Sequence, residues 1–156
     1  MNENELKEEY AFYSFAEDDL KEAYRSLEAV NRYKRDVVIS ALIKIAIISY
    51  SRPFKKCRGE YKKHYNLKDD IIPKQHKNLH QKIITYRDQI FAHSDINLKK
   101  PEVQKWQLGN KVMFPITYRG FSPKDFLHET AKMKQLINEV LSSLRLYINE
   151  IKKRLS

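Results

Sequence analysis

The stretch from Asp36 to Ser51, D-V-V-I-S-A-L-I-K-I-A-I-I-S-Y-S, constrains this chain most. Val37, Val38, Ile39, Ala41, Leu42, Ile43, Ile45, Ala46, Ile47 and Ile48 leave almost no polar face on a helix. Such a helix is expected to be buried on most sides, so other elements must surround it. Asp36 stands where an N-cap is expected. Pro53 blocks the other end and biases Arg52 away from helical backbone. The apolar run from Val37 to Tyr50 is interrupted by Ser40, Lys44 and Ser49, and is expected to be too short and too broken to span a bilayer.

The surrounding elements also read as helices. In residues 5–30, Leu6, Tyr10, Tyr13, Leu20, Tyr24, Leu27 and Val30 recur at steps near three and four. A third helix is expected over about residues 73–91, with Pro73 in its first turn and Leu79, Ile83, Tyr86 and Ile90 as its seam. A last one starts at Ser122-Pro123-Lys124-Asp125 and runs to about Arg154. Met133, Ile137, Val140, Leu144, Tyr147, Ile151 and Leu155 supply its stripe. Residues 96–121 lose the helical period. There Trp106-Gln107-Leu108 and Lys111-Val112-Met113-Phe114 flank Gly109-Asn110, the pattern of a small hairpin. Only 3 Gly and 5 Pro occur, which argues against an all-β chain. The expected fold is all-α: an antiparallel up-and-down bundle of four to five helices, with a small β-hairpin or ordered loop between the third and fourth long helices. Residues 1–156 are read as a single domain.

Lysine and arginine number 30 against 20 acids, a formal charge of +10. That excess favours a polyanionic partner: RNA, DNA or an acidic protein. It is dense in residues 52–68, where Lys55, Lys56, Arg58, Lys62 and Lys63 are candidate RNA-binding residues. Phe54, Tyr61 and Tyr65, interleaved with them, suit stacked bases. The plainer reading of this stretch is a solvated loop or short helix. A single cysteine, Cys57, excludes a disulfide or cysteine metal cluster within one chain and fits a reducing cytoplasm. The acidic N-terminal residues do not read as a signal peptide, and no membrane partner is expected.

Chemistry concentrates in Y-R-D-Q-I-F-A-H-S-D, from Tyr86 to Asp95. Arg87 can hold a phosphate in an always-charged fork, and His93 can move a proton near neutral pH. On a straight helix, six steps would leave them roughly 120° apart with about 9 Å of rise. A joint role therefore needs the helix to loosen near Ala92, or a second copy of the chain. A two-fold dimer would bring two arginines and two histidines into one cleft. Asp88 can orient Arg87 or His93. His80 lies on the same stripe as Arg87, and Tyr50 and Arg52 stand at the end of the second helix; these three, with Ser94 and Asp95, are candidate supporting residues. His76 and His80 have metal-ligand spacing but no local third ligand, so no metal is expected. No cofactor motif is present either.

The segment from Arg87 to His93 resembles the R-x4-6-H motif of HEPN domains, a superfamily of small helical bundles; here the spacing is R-x5-H. Asp88 matches the polar residue often found directly after the arginine, and the helical order before the motif is similar as well. The resemblance implies a metal-independent endoribonuclease of toxin–antitoxin or phage-defence type, acting as a homodimer with a composite site. It implies Arg87 and His93 as catalytic residues, with Asp88 beside them, and an antitoxin protein as a further partner. One toxin subgroup carries a tyrosine two residues after the histidine, modified by its antitoxin. Asp95 occupies that position here, which argues against that form of control.

Two other readings compete. The first is a HEPN-like module that binds RNA or protein without cutting. The second is a structural bundle or an adaptor for an acidic partner. In plainer terms, Arg87 and Asp88 form a helix-end ion pair, and His93 closes the helix by bonding its last carbonyls.

Overall fold

The computed structural model describes residues 3–61, 64–88, 101–118 and 123–156, apart from the Tyr118 side chain. The fold is mostly helical. Among the described residues four α-helices occur: α1 (Glu3–Val30), α2 (Asp36–Ser51), α3 (Lys77–Tyr86) and α4 (Thr130–Leu155). Their directions follow from their contacts. The link between α1 and α2 is short, and α2 ends with Ser49 bonded to Glu22 and with Arg52 on Asp19. These two helices therefore run antiparallel. Along α4, Arg145 meets Glu17, Tyr147 stacks on Tyr13 and Lys152 lies over the Tyr10 ring. Numbers rise on one helix as they fall on the other, so α1 and α4 are antiparallel too. Likewise Gln75 and His76 meet Glu139, while Lys82 meets Glu129.

The core lies where these helices meet. Leu20, Leu27, Ile43, Ile47, Tyr50, Ile83, Phe126, Met133, Leu136, Ile137 and Leu144 are fully buried. Burial of this kind contributes roughly 1.5–3 kcal/mol per large apolar side chain. Leu79 and Ile83 of the α3 seam are buried, and Tyr86 packs partly against them; Ile90 lies outside the described residues. On α4 the stripe holds except at Tyr147, which is 49% exposed, and at Leu155, the last helical residue, which is only partly buried.

Several expectations are corrected. The second helix is not buried on most sides: Val37 is 74% exposed and Ile45 41%. α1, α3 and the turn at Pro123–Glu129 cover one side of α2, whereas α4 packs chiefly on α1. Asp36 is not the cap. It sits in the first turn, after the extended Arg35, and pairs with Lys124. α2 and its following turn also make one segment, Asp36–Phe54, of 19 residues, long and apolar enough by length and composition to cross a bilayer. Its buried residues, Ile43, Ala46, Ile47 and Tyr50, nevertheless belong to the helical core.

The third and fourth helices begin later than expected. Lys74–His76 and Pro123–Glu129 form tighter 3-10 turns before α3 and α4. Ser122 lies outside the described residues. The basic stretch is neither a plain loop nor a helix. Arg52–Phe54 is a 3-10 turn, after which β1 (Cys57–Arg58) pairs with β2 (His64–Tyr65). Between α3 and α4, β3 (Pro101–Val103) pairs with β6 (Ile116–Tyr118), and β4 (Trp106–Leu108) with β5 (Lys111–Met113), both antiparallel. Gly109 turns β4 into β5 at φ 59°, a left-handed backbone that glycine adopts without strain. Val103, Trp106, Leu108 and Ile116 of these strands, and Phe114 between β5 and β6, are more than half exposed.

Candidate functional site

Pro53 shapes the approach to the site. It cannot continue the hydrogen-bonding of α2, so the chain tightens into the Arg52–Phe54 turn. The Pro53 carbonyl accepts a 2.7 Å bond from the Leu67 N–H, which ties the turn to the segment after β2. Phe54 then lies edge-on to the His80 ring at 4.7 Å and beside Tyr50 at 5.3 Å. Lys55 follows in extended conformation.

His80 comes from the buried stripe of α3, with Leu79 and Ile83. Its Nδ1 is 2.7 Å from the Tyr50 hydroxyl, and its Nε2 is 3.4 Å from Asp69 Oδ1. A neutral ring with its proton on Nε2 serves both neighbours: Tyr50 O–H donates to Nδ1, and Nε2–H points at the carboxylate. Burial lowers the His80 pKa and Lys55 lowers it further, while Asp69 works against them. Burial, helped by Asp69, pushes the Tyr50 hydroxyl well above the ordinary tyrosine range. Among the described residues no buried side-chain polar atom lacks a partner.

Arg87 lies two turns beyond His80, close to the same face of α3. The backbone passes from α to the wider π-helical geometry at Arg87 and Asp88. Such widening within helices is frequent at functional sites. Ala92, where a loosening would be needed if Arg87 and His93 of one chain act together, lies outside the described residues. Arg87 Nη1 donates to Asp88 Oδ1 at 3.0 Å, and Lys55 Nζ donates to the other oxygen, Oδ2. Burial works to raise the Asp88 carboxyl, but the hydrogen bonds and charges of Lys55 and Arg87 outweigh it and hold it below its ordinary value.

The chain matches no protein-family model, no curated protein and no solved structure.

The structure thus joins Arg87, Asp88 and Lys55, with His80 and Tyr50 buried on the same two elements. It separates others from them. Arg52 pairs with Asp19 and Glu22 of α1. Lys56 and Arg58 are exposed, Arg58 within β1 opposite His64. His93, Ser94, Asp95, Lys62 and Lys63 lie outside the described residues. Of the three aromatics offered for stacking, Phe54 is spent on Tyr50 and His80, and Tyr65 is buried on Phe12. Tyr61 is 44% exposed. His76 turns to Glu139 rather than sharing a ligand with His80. Among the described residues no group of three or more metal-ligating side chains is present.

Two participants escaped the sequence reading. Asp69, in a separate 3-10 turn, Asp69–Ile71, that follows β2, is the charged neighbour of His80, with no spacing pattern to mark it. Glu8 of α1 accepts from the Glu60 backbone N–H and from Tyr65 O–H at 2.9 Å, fastening the basic hairpin to the helix. Chemically, the cluster offers two cations around one surface carboxylate, over a buried histidine–tyrosine pair.

Proposed function

We propose that this chain is a metal-independent endoribonuclease of the HEPN kind. The observation that carries the reading is the meeting of Arg87, Asp88 and Lys55 where α3 widens, two turns beyond the buried His80 that bonds Tyr50. In this reading the helices form an up-and-down bundle, with the β4–β5 hairpin between the third and fourth. Two copies associate so that both Arg87–His93 motifs line one cleft. The setting is cytoplasmic, in toxin–antitoxin or phage defence, with an antitoxin protein as further partner.

The reaction is a transesterification. The RNA 2′-oxygen attacks the adjacent phosphorus, and the bond from phosphorus to the 5′-oxygen breaks. The products are a 2′,3′-cyclic phosphate and a 5′-hydroxyl. His93 of one or both subunits takes the 2′-OH proton and supplies the proton to the leaving oxygen. Arg87 stabilises the charge that gathers on the phosphorane-like transition state. DNA, without the 2′-OH, is not cut. The test is incubation with labelled structured RNAs in EDTA, with end mapping, beside Arg87→Ala and His93→Ala.

One observation favours a second reading, the non-cutting RNA-binding module. Arg87 is already paired with Asp88, which leaves less of its charge for a developing transition state. Intact RNA after salt-sensitive binding selects that reading.

A further inference from the structure

Lys55 and Arg87 come from different elements, the turn after α2 and the end of α3, yet they converge on one carboxylate. Each takes a different oxygen of Asp88. The packing behind them fixes this meeting, because Phe54 is held against His80 and Tyr50, and Lys55 is the next residue. The three side chains are about equally accessible: 33% for Lys55, 32% for Arg87 and 35% for Asp88. A phosphodiester, like a carboxylate, carries one negative charge shared over two oxygens, and both suit paired cationic donors. The difference is that Asp88 is tethered and always at hand.

We propose that Lys55 and Arg87 form a single phosphodiester clamp, in which the Asp88 carboxylate holds the place of the phosphate until nucleic acid displaces it. The inference rests on the reading of this cluster as a nucleic-acid site. It singles out Lys55 among the candidate RNA-binding residues as the partner of Arg87 and gives Asp88 the role of an internal competitor. A carboxylate that merely positioned Arg87 would aid binding, whereas a competitor opposes it. The two roles therefore predict opposite signs for the same substitution.

The test is fluorescence anisotropy with a labelled single-stranded deoxyoligonucleotide, titrated at several salt concentrations. The probe has no 2′-OH, so binding is read apart from cleavage. Asp88→Asn, nearly isosteric, is expected to tighten binding by about threefold to tenfold. Lys55→Gln is expected to weaken it by a similar factor, with the salt slope shallower by about 0.7. Lys55→Arg, which keeps the charge, is expected to stay close to wild type, separating lost charge from a disturbed fold. Binding that weakens or stays the same in Asp88→Asn overturns the proposal, as does an unchanged salt slope in Lys55→Gln. The expected pattern in a protein that leaves RNA intact sinks the nuclease reading and keeps the clamp. RNA cleavage without the pattern sinks the clamp alone.

Discussion

The Tyr50 hydroxyl lies 2.7 Å from His80 Nδ1, and the two residues are 0% and 4% exposed. The bond joins the end of α2 to the middle of α3 inside the core. Burying two polar groups is tolerable because each satisfies the other. Tyr50→Phe removes the donor and leaves Nδ1 without it. The expected loss is about 1–3 kcal/mol of stability, read from urea unfolding. A variant as stable as wild type would show that the bond contributes nothing net.

Acid should act through the same histidine. The folded-state pKa of His80 lies below its ordinary value of 6.5, so the unfolded chain binds the proton more readily. By linkage, the His80 contribution is intact above about pH 6.5 and is lost as the pH falls through the depressed folded value. Unfolding free energies measured from pH 7.5 to 5 should decline more steeply in wild type than in His80→Phe. Equal slopes would remove His80 as the cause.

Glu8 should govern the basic hairpin. Glu8→Gln weakens the bonds to Glu60 N–H and Tyr65 O–H. Gly59→Ala would drive a methyl group into the same carboxylate. Both changes are expected to speed hydrogen exchange or proteolysis around β1 and β2, with a loss of overall stability on the order of 1 kcal/mol. Unaltered exchange in both variants would contradict the fastening role.

The one-sided burial of α2 predicts unequal responses along one helix. Ile47 is fully buried, whereas Val37 is 74% exposed. Ile47→Ala should cost about 2–5 kcal/mol, and Val37→Ser should stay within about 0.5 kcal/mol. Comparable losses at the two positions would mean that the outer side of α2 is covered as well.

These residues also show what the sequence could and could not convey. The stripes of α1, α3 and α4 were legible because one-sided burial imposes the helical period on residues such as Leu20, Ile83 and Ile137. α2 misled for the opposite reason. A helix apolar on every side gives no hint that Val37 and Ile45 face outward. Strands β3 and β6, three residues each, are too short for alternation to register. Arg87 and Asp88 could be singled out because they are adjacent and of known chemistry. Lys55 was only one lysine among several in a basic run, and its meeting with Asp88 depends on the Pro53 turn and the Phe54 packing. Asp69 reaches His80 through a tertiary contact that leaves no local pattern.

A nuclease of this kind leaves characteristic ends on its RNA, and end mapping reads them. Purified protein is incubated in EDTA with labelled structured RNAs, tRNA among them, beside Arg87→Ala and His93→Ala. The expected fragments end in 2′,3′-cyclic phosphate and 5′-hydroxyl, and are reduced by about a hundredfold or more in both variants, on the scale of general acid–base catalysis and transition-state charge stabilisation. RNA left intact by the wild-type protein, or cleavage that survives both substitutions, would contradict the nuclease reading.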